Sequence, residues 1–329
     1  MNISNCKILV TGASGFVGSH LVEKLLQKGY SVKCFIRYNS KYDIGFLNEI
    51  DTQLFNELEI IRGDLRDYHA IKDAMKCIDI VFHLGALIAI PYSFMNPKDV
   101  IDTNVLGTLN ILNSTRDLSI DKIIHTSTSE VYGTAKYIPM DENHPLQAQS
   151  PYAASKISAD KLAESYYCSY NLPISTIRPF NIYGPRQSAR AVIPTIISQA
   201  LTQKHIKLGN LTPTRDFTYV SDTVEAFIKI AESDNTTGKV YNIGSTKEIS
   251  IGEIAKKICK LTNIKYDIIY EEIRERPKKS EVERLCSDSS KAMDEIKWKP
   301  KVLLEDGLIK TIHWSQNNIH CYNTKEFII

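Results

Sequence analysis

The sequence predicts an α/β fold: a doubly wound parallel sheet with a smaller, partly interleaved C-terminal substrate lobe. Over the first 180 residues, short apolar runs alternate with helical patterns, which is typical of a parallel sheet covered by helices on both faces. Beyond residue 180 the alternation becomes irregular, and prolines such as Pro185 and Pro213 interrupt it. Because crossovers between parallel strands are right-handed, such a sheet binds its ligands at the carboxyl ends of its strands.

Each predicted element rests on its own spacing of apolar residues. Short runs rich in Ile, Val and Phe predict strands, at Lys7–Thr11, Ser31–Ile36, Glu59–Ile61, Ile78–His83, Lys122–Thr126 and Ile174–Arg178. Longer stretches with helical periodicity predict helices, at Phe16–Lys28, Tyr68–Met75, Pro97–Asp117 and Tyr152–Tyr170. We expect residues 1–180 to form the first domain and residues 181–329 to form the lobe that closes over its strand ends.

The composition excludes several classes of protein. Hydrophobic residues make up 43% and charged residues 24% of the chain, and the formal net charge is +2, which favours neither a nucleic-acid nor a membrane partner. No apolar run approaches the roughly 20 residues that cross a bilayer, and the N-terminus lacks a signal-peptide pattern. The seven cysteines are scattered and never spaced as C-x-x-C. We therefore expect free thiols, no metal site and a cytoplasmic location.

A glycine-rich turn indicates the ligand of the first domain. Gly12, Gly15 and Gly18 follow the first strand and open the first predicted helix, where glycines permit a tight turn and close approach of the backbone to a pyrophosphate. Unpaired amides at the start of the helix supply the anion site. The turn predicts a Rossmann-type dinucleotide-binding domain over residues 1–180. Its expected contacts come from Gly12, Ser14, Gly15, Phe16, Val17 and Gly18.

The end of the second strand indicates which nicotinamide cofactor is bound. An acidic residue there would accept hydrogen bonds from the ribose of NAD, whereas this chain has Arg37, Asn39 and Ser40, which could hold the 2′-phosphate of NADP. We expect NADP, and the alternative is an NAD site in which Arg37 stacks on the adenine. Further cofactor contacts are expected after the third and fourth strands, from Asp64, Leu65, Leu84, Gly85 and Ala86.

Two segments carry the candidate catalytic chemistry. Tyr152 and Lys156 lie four residues apart, on one face of a predicted helix, and an ammonium near a phenol favours the phenolate, so that Tyr152 can act as a base. Thr128, Ser129 and Glu130 follow the fifth strand and add two hydroxyls and a carboxylate. The tyrosine–lysine pair, which we also expect to contact the cofactor, indicates hydride chemistry at an alcohol. The glutamate indicates that a second proton is moved.

These motifs resemble the extended short-chain dehydrogenase/reductases that act on nucleotide sugars. The resemblance spans nearly the whole chain, and beyond the glycine turn and the Tyr152–Lys156 pair it includes Asp64-Leu65, His83-Leu84-Gly85-Ala86, Asn104-Val105-x-Gly107-Thr108 and Arg178-Pro179-Phe180-Asn181-x-Tyr183-Gly184-Pro185. Thr128-Ser129-Glu130 is similar to the segment in nucleotide-sugar 4,6-dehydratases, whereas simple 4-epimerases lack a carboxylate in it. A dehydratase removes the C5 proton and expels the C6 hydroxyl, which requires an additional acid/base group.

The resemblance implies a reaction in which a tightly bound cofactor is regenerated in each turnover. Tyr152, activated by Lys156, would take the proton of the sugar 4-hydroxyl while Thr128 bonds the 4-oxygen. Glu130 would then remove the C5 proton, unless it is only a capping or surface carboxylate. Either Glu130 or Ser129 would assist the departing C6 hydroxyl, because Ser129 replaces the aspartate of the glucose-type dehydratases.

Three stretches are similar to the N-acetylglucosamine 4,6-dehydratases of legionaminic acid biosynthesis, which use GDP- or UDP-linked sugars. They are residues 86–93, 125–135 and 184–194. The apolar loop at residues 87–90, which contains Ile88, would accept an acetamido methyl or pack beneath the cofactor. Arginines offer bidentate contacts to phosphate, although the charged run from Arg274 to Lys279 could be only a solvated face. The expected contacts to the nucleotide-diphosphate sugar are Ile88, Pro91, Asn181, Arg186, Arg190, Arg215 and Arg276.

The resemblance also implies a homodimer through the helices near Pro97–Asp117 and Tyr152–Tyr170. No residue distinguishes guanine from uracil. A UDP-glucuronate decarboxylase is the nearest alternative, but it needs a cation for the C6 carboxylate of its substrate, and the apolar loop at residues 87–90 argues against one. A 4-epimerase is disfavoured by Glu130, and a catalytically inactive dinucleotide-sensing protein is disfavoured by the complete set of Thr128, Tyr152 and Lys156.

Overall fold

Seven parallel strands form the central sheet of the protein. The computed structural model describes residues 6–203, 205–264 and 267–322. Within these ranges the strands are β1 (Lys7–Thr11), β2 (Ser31–Arg37), β3 (Glu59–Gly63), β4 (Ile80–His83), β5 (Lys122–Thr126), β6 (Ile174–Pro179), β7 (Asn181–Tyr183), β8 (His205–Leu208), β9 (Thr214–Tyr219), β10 (Val240–Ile243), β11 (Glu248–Ser250) and β12 (Asp267–Tyr270). The order in the central sheet is β10-β6-β5-β4-β1-β2-β3, and its strand pairs are parallel. The predicted fold class is confirmed.

Helices cover both faces of this sheet. They are α1 (Phe16–Gln27), α2 (Thr52–Phe55), α3 (Tyr68–Ala74), α4 (Ile90–Met95), α5 (Pro97–Ile101), α6 (Gly107–Leu118), α7 (Pro151–Tyr170), α8 (Val192–Thr202), α9 (Val220–Glu232), α10 (Ile251–Thr262), α11 (Ser290–Glu295) and α12 (Leu304–Asn317). Successive side chains of a strand point to opposite faces. Accordingly, Ile8 and Val10 pack in one core with Leu21 of α1, whereas Leu9 packs in the other with Ile111 of α6.

The helix predicted over Pro97–Asp117 is interrupted by a π-helical turn at Asp102–Leu106. The turn presents Asn104 sideways, and its amide bonds both backbone groups of Leu87, with N–H···Oδ1 at 2.8 Å and Nδ2–H···O at 2.9 Å. The same amide donates to Ser155 Oγ at 2.9 Å. Such bulges often occur at functional sites. Here the turn ties the loop after β4 to helix α7.

The second half of the chain completes the central sheet and adds a lobe of its own. Strand β10 pairs with β6, with Tyr241 opposite Ile177, and α9 packs on α1 and on strand β5. The added lobe contains the three-stranded sheet β11-β9-β7 and the parallel pair β12-β8. The two halves are interleaved because β10, from the second half, belongs to the sheet of the first. The functional boundary at residue 180 stays a prediction. In the described part of the chain, no helix combines the length and apolar character that crossing a membrane requires.

Candidate active site at the strand ends

The glycine-rich turn after β1 packs backbone against backbone. Gly12 has a φ of +68°, and a Cβ there would lie 2.8 Å from the Cα of Gly85 after β4. A Cβ on Gly18 would lie 2.2 Å from the carbonyl oxygen of Gly12. Only glycine satisfies both constraints, because any side chain would push the turn away from the helix and from β4.

This turn leaves the start of α1 open to an anion. Helix α1 begins at Phe16, and the N-cap residue Gly15 provides no side-chain hydrogen bond, so the amides of the first turn are available to a ligand. The carbonyl of Ser14 accepts from the Phe46 amide at 3.1 Å, which holds the turn in place. The residues therefore fit the pyrophosphate of a dinucleotide, and Val17 and Gly18 belong to the same helical turn.

The residues expected to contact the adenosine half of the cofactor differ in whether their side chains already have partners in the protein. Arg37, the last residue of β2, and Ser40, three residues later, are exposed. The Asn39 side chain is engaged locally, accepting from the Asp43 amide at 3.0 Å and donating to its carbonyl at 2.8 Å. Asp64 is likewise occupied, because Arg66 Nη2 lies 2.6 Å from its Oδ2 and lowers the pKa of the carboxyl.

The remaining predicted cofactor residues line the ends of β3 and β4. Leu65 packs against both Gly85 and Gly107, since a Cβ on either glycine would meet its side chain within 3 Å. Leu84, Gly85 and Ala86 are partly accessible, and the Gly85 amide donates to Thr11 Oγ1 at 3.0 Å. The backbone after β4 is thus held directly against the glycine turn.

The turn after β5 buries a carboxylate. Thr128 has an extended backbone and caps a short 3₁₀ turn at Ser129–Tyr132, accepting from the Glu130 amide at 3.3 Å. Ser129 and Glu130 are 3% and 8% exposed, so Glu130 is neither the capping residue nor a surface carboxylate. Its Oε2 lies 3.4 Å from Nη1 of Arg276, which supplies a compensating charge.

Tyr152 and Lys156 lie buried in the first turns of α7. The helix begins at Pro151, and Ser150 caps it by accepting from the Ala153 amide at 3.0 Å. The ammonium of Lys156 donates to the carbonyl of Thr126 at the end of β5. Helix α7 is therefore fastened to the strand that leads into the Glu130 turn.

The titration of the two side chains differs from the sequence expectation. Burial raises the pKa of the Tyr152 phenol, a hydrogen bond with Thr128 acts in the opposite direction, and the charges of Glu130 and Asp160 raise it further. Burial lowers the pKa of Lys156 to about 8, against the charge of Asp160. Without a ligand, Tyr152 is thus a neutral phenol, because desolvation outweighs the stabilisation of its phenolate.

The second lobe brings two arginines to Glu130. Arg215 on β9 is 5% exposed; its Nη1 donates to the Thr214 carbonyl at 2.9 Å and its Nη2 lies 3.1 Å from Oε1 of Glu281. Burial lowers the pKa of Arg215, Arg276 lowers it further, and Glu130 raises it. Arg215, Arg276 and Glu130 therefore belong to one electrostatic cluster. Within the charged run, Arg276 is half-buried while Lys278 is exposed.

The other predicted substrate residues are spread more widely. Ile88 is 61% exposed in the loop after β4, and Pro91 lies in the first turn of α4. The buried Oδ1 of Asn181 accepts no hydrogen bond from the described residues. Arg190 is exposed and contacts Ser188.

Arg186 has a different environment from the other arginines. Its buried guanidinium lies 2.9 Å from Glu23, which is on α1, and 3.3 Å from Glu49. Two carboxylates already neutralise it, and a phosphate contact by Arg186 stays a prediction.

Sequence reasoning assigned no role to three buried side chains beneath this site, those of Tyr132, Asp160 and Arg178. Asp160 on α7 and Arg178 on β6 form a buried ion pair at 3.0 Å, and Arg178 Nη1 donates to the Tyr132 hydroxyl at 3.0 Å. One signal was available, because Asp160 is four residues after Lys156 and so shares its helix face. A carboxylate on a buried face requires a partner.

Comparisons with known proteins identify the family. The model of the GDP-mannose 4,6 dehydratase family matches residues 9–311. The chain belongs to this family. It is 35% identical to a putative UDP-glucose 4-epimerase of Methanocaldococcus jannaschii, over 94% of this chain and 99% of that protein. It is 32% identical to human dTDP-D-glucose 4,6-dehydratase, over 97% and 93% of the two chains.

A solved structure agrees with the family assignment. The dTDP-glucose 4,6-dehydratase DesIV from Streptomyces venezuelae, crystallised with NAD and TYD, superposes with a TM-score of 0.88 at 27% identity, over 96% of this chain and 99% of that one. The protein is thus an extended short-chain dehydrogenase/reductase of the nucleotide-sugar 4,6-dehydratase and 4-epimerase group. The predicted family is confirmed at this level, and the N-acetylglucosamine branch stays a prediction.

Proposed function

We propose that the protein is a nucleotide-sugar 4,6-dehydratase that converts GDP- or UDP-linked N-acetylglucosamine to its 4-keto-6-deoxy form, for legionaminic acid and surface-glycan biosynthesis. The observation that carries the proposal is Glu130, a buried carboxylate close enough to act on the pKa of Tyr152. An epimerase needs no such group, because it moves a proton only at the 4-oxygen.

In the first half of the reaction, residues of α7 and of the turn after β5 act on the 4-hydroxyl of the sugar. Thr128, which counteracts the raised pKa of Tyr152, holds the 4-oxygen. Tyr152 accepts the proton of the 4-hydroxyl once Lys156 and the bound cofactor stabilise the phenolate. A bound nicotinamide dinucleotide supplies the hydride acceptor at C4 and the hydride donor at C6.

In the second half, Glu130 removes the C5 proton, which the 4-keto group has made acidic. The burial of Glu130 excludes bulk water from this step. The C6 hydroxyl leaves as water with a proton from Glu130 or from the buried Ser129. Glu130 is the simpler donor, because it holds the proton just taken from C5.

Two features support the choice of substrate. Arg215 and Arg276 converge on Glu130 from the second lobe, and a diphosphate would satisfy both guanidinium groups. The exposed side chain of Ile88 offers an apolar contact to an acetamido methyl. We propose Asn181 as a sugar or phosphate contact, because its buried oxygen lacks a partner among the described residues.

For the cofactor we propose NADP, held at its 2′-phosphate by Arg37 and Ser40, which are both exposed at the end of β2 and just after it. Asn39 contributes less than the sequence suggests, because its amide is engaged with Asp43.

We also propose a homodimer through the surface of α5 to α7. Large apolar side chains are exposed on or beside these helices, among them Met95 (62%), Ile101 (45%), Leu106 (45%) and Tyr170 (51%). Such a patch is typical of a protein interface. Light scattering after size-exclusion chromatography measures the mass, and Leu106→Glu should yield monomers.

The second candidate is a UDP-glucuronate decarboxylase, and one observation favours it. Such an enzyme needs a cation for the C6 carboxylate of its substrate, and Arg276 lies beside Glu130. The same guanidinium is equally suited to phosphate.

Mass spectrometry separates the candidates. The protein is incubated with UDP- and GDP-N-acetylglucosamine, dTDP-glucose and UDP-glucuronate, and we expect loss of water from an N-acetylglucosamine substrate. Loss of carbon dioxide from UDP-glucuronate would identify a decarboxylase, and conversion without a mass change would identify an epimerase. Substrate deuterated at C4 should yield product deuterated at C6.

A further inference from the structure

A buried ion pair lies under the candidate active site and belongs to none of the steps described above. Asp160 and Arg178 are 5% and 6% exposed. Arg178 donates to Asp160 Oδ2 through Nε at 3.1 Å and through Nη2 at 3.0 Å. The hydrogen bonds and charges around Asp160 outweigh its burial and lower its pKa, so the carboxylate is ionised at neutral pH.

Asp160 joins helix α7 to strand β5. It lies one helical turn after Lys156, and Ser127 Oγ donates to its Oδ2 at 2.8 Å. Its Oδ1 lies 3.1 Å from Nε2 of His125. The carboxylate thus holds the helix that carries Tyr152 to the strand end that carries Thr128.

Arg178 extends the connection to the Glu130 turn. Its Nη1 donates to the hydroxyl of Tyr132 at 3.0 Å, and its guanidinium also lies over the Tyr132 ring, 5.1 Å from the centroid. The Tyr132 hydroxyl donates in turn to Asn242 Oδ1 at 2.7 Å. Since Tyr132 ends the turn that begins at Ser129, the ion pair reaches both catalytic segments.

We infer that Asp160 and Arg178 are positioning residues that hold the Tyr152–Lys156 helix in register with the Thr128–Glu130 turn, and that Asp160 sets the charge beneath them. The inference rests on the proposed function only through its first step, oxidation at C4, which dehydratases, epimerases and decarboxylases of this group share.

The charge part of the inference follows from the groups that face Lys156 and Tyr152. Around Lys156 these are Asp160 on its own helix, His83 on β4 and His125 on β5. Burial lowers the pKa of both histidines, so they are neutral at pH 7. Around Tyr152 they are Glu130 and Asp160. Among the charged groups of the described residues, Asp160 therefore acts on both Lys156 and Tyr152.

The first test is a titration of Lys156 that needs no sugar. Protein labelled with ¹³C at lysine Cε is titrated by NMR, and the Lys156 signal is the one that Lys156→Arg removes. Asp160→Asn should lower the titration midpoint by about one pH unit, because a nearby opposite charge favours the ammonium.

Glu164→Gln is the matched control, because it removes an exposed carboxylate from the same helix, where Glu164 pairs with Lys161. It should leave the Lys156 midpoint unchanged. An unshifted midpoint in a folded Asp160→Asn protein, or an equal shift in Glu164→Gln, would overturn the charge assignment.

The second test isolates the connection to the turn. Tyr132→Phe removes the hydroxyl that bonds Arg178 and Asn242 but keeps every charge. Single-turnover reduction of the cofactor by UDP- or GDP-N-acetylglucosamine should slow about tenfold, while cofactor affinity and the Lys156 midpoint stay unchanged. A wild-type rate in the Tyr132→Phe protein would overturn the positioning role. This test does not depend on whether Asp160→Asn folds. Failure of the proposed function would look different. The wild-type protein would then not give the product that has lost water, whereas the Lys156 midpoints of the wild-type and variant proteins would stay as expected above.

Discussion

The two halves of the candidate active site are held together by different kinds of contact. On the cofactor side, the contacts are between backbone atoms: Gly12 approaches Gly85, and the first turn of α1 stands against Gly12. On the sugar side, long charged side chains meet, with Arg276 beside Glu130 and Arg215 beside Glu281. The glycine turn of the cofactor side is closely packed before any ligand arrives. On the sugar side, a diphosphate that binds as we propose would join or replace ion pairs that already exist.

This difference explains how the two sides respond to change. A backbone cradle has no room for adjustment, so a single added methyl disturbs it. A cluster of flexible cations tolerates the loss of one member, because the remaining charges still attract the ligand. Mutations on the cofactor side should therefore act on folding and binding together. Mutations on the sugar side should act on single steps.

The largest expected effect separates the two sides at Glu130. Glu130→Gln should reduce turnover by about 10²- to 10⁴-fold, the usual contribution of a general acid or base, and leave dinucleotide affinity unchanged. Exchange of the C5 proton with D₂O, followed by NMR, measures the step directly. Undiminished exchange in the variant would remove Glu130 from the mechanism.

The next effect breaks the cofactor side. Gly18→Ala places a Cβ 2.2 Å from the Gly12 carbonyl oxygen. We therefore expect the free energy of unfolding to fall by about 3 kcal/mol and dinucleotide binding to be lost as well. Gly252→Ala is the matched control, because a Cβ there meets Leu211 at an ordinary 3.5 Å. Urea unfolding measures both variants, and equal stabilities would contradict the close packing of the turn.

A smaller effect compares two arginines of the sugar side. Arg276→Gln should raise the KM for the nucleotide sugar by about 10- to 100-fold, as expected for a lost charge-assisted contact. Arg186→Gln should change KM far less, because Glu23 and Glu49 already neutralise its guanidinium. Steady-state kinetics of both variants decide the matter, and equal increases in KM would restore Arg186 to the phosphate site.

The smallest effect concerns the exposed end of the cofactor side. Arg37→Leu should weaken NADP binding by about fivefold, because an exposed contact to phosphate is partly screened by water, and it should leave NAD binding unaffected. Fluorescence titration with both cofactors measures this. Tenfold tighter binding of NAD than of NADP by the wild-type protein would reverse the proposed preference.

The comparison also shows what could be predicted from the sequence. The glycine turn was predictable because close backbone packing requires one residue type at fixed spacing, and Tyr152 and Lys156 because a helix places positions four apart on one face. Apolar alternation predicted the strands, and the structure confirms the fold they imply. These signals are local, and they depend on neighbours in the chain.

The rest depends on partners that are distant in sequence. Arg186 has the same residue type as Arg215, yet the fold turns it towards Glu23 and Glu49. The π turn at Asn104 is set by its bonds to Leu87. The raised pKa of Tyr152 results from burial, which sequence spacing does not measure. No local sequence pattern specifies these contacts, because each one joins residues that only the tertiary fold brings together.

Strand β10 has a consequence for how the protein can be divided. A fragment that stops near residue 180 would retain the glycine turn and the catalytic helix but would lack β10, which pairs with β6. The amides and carbonyls of β6 would then face solvent as an unpaired edge, which is a template for aggregation. Cofactor binding cannot be studied in such a truncated fragment without this hazard, and during synthesis the sheet cannot close until the ribosome has passed residue 243.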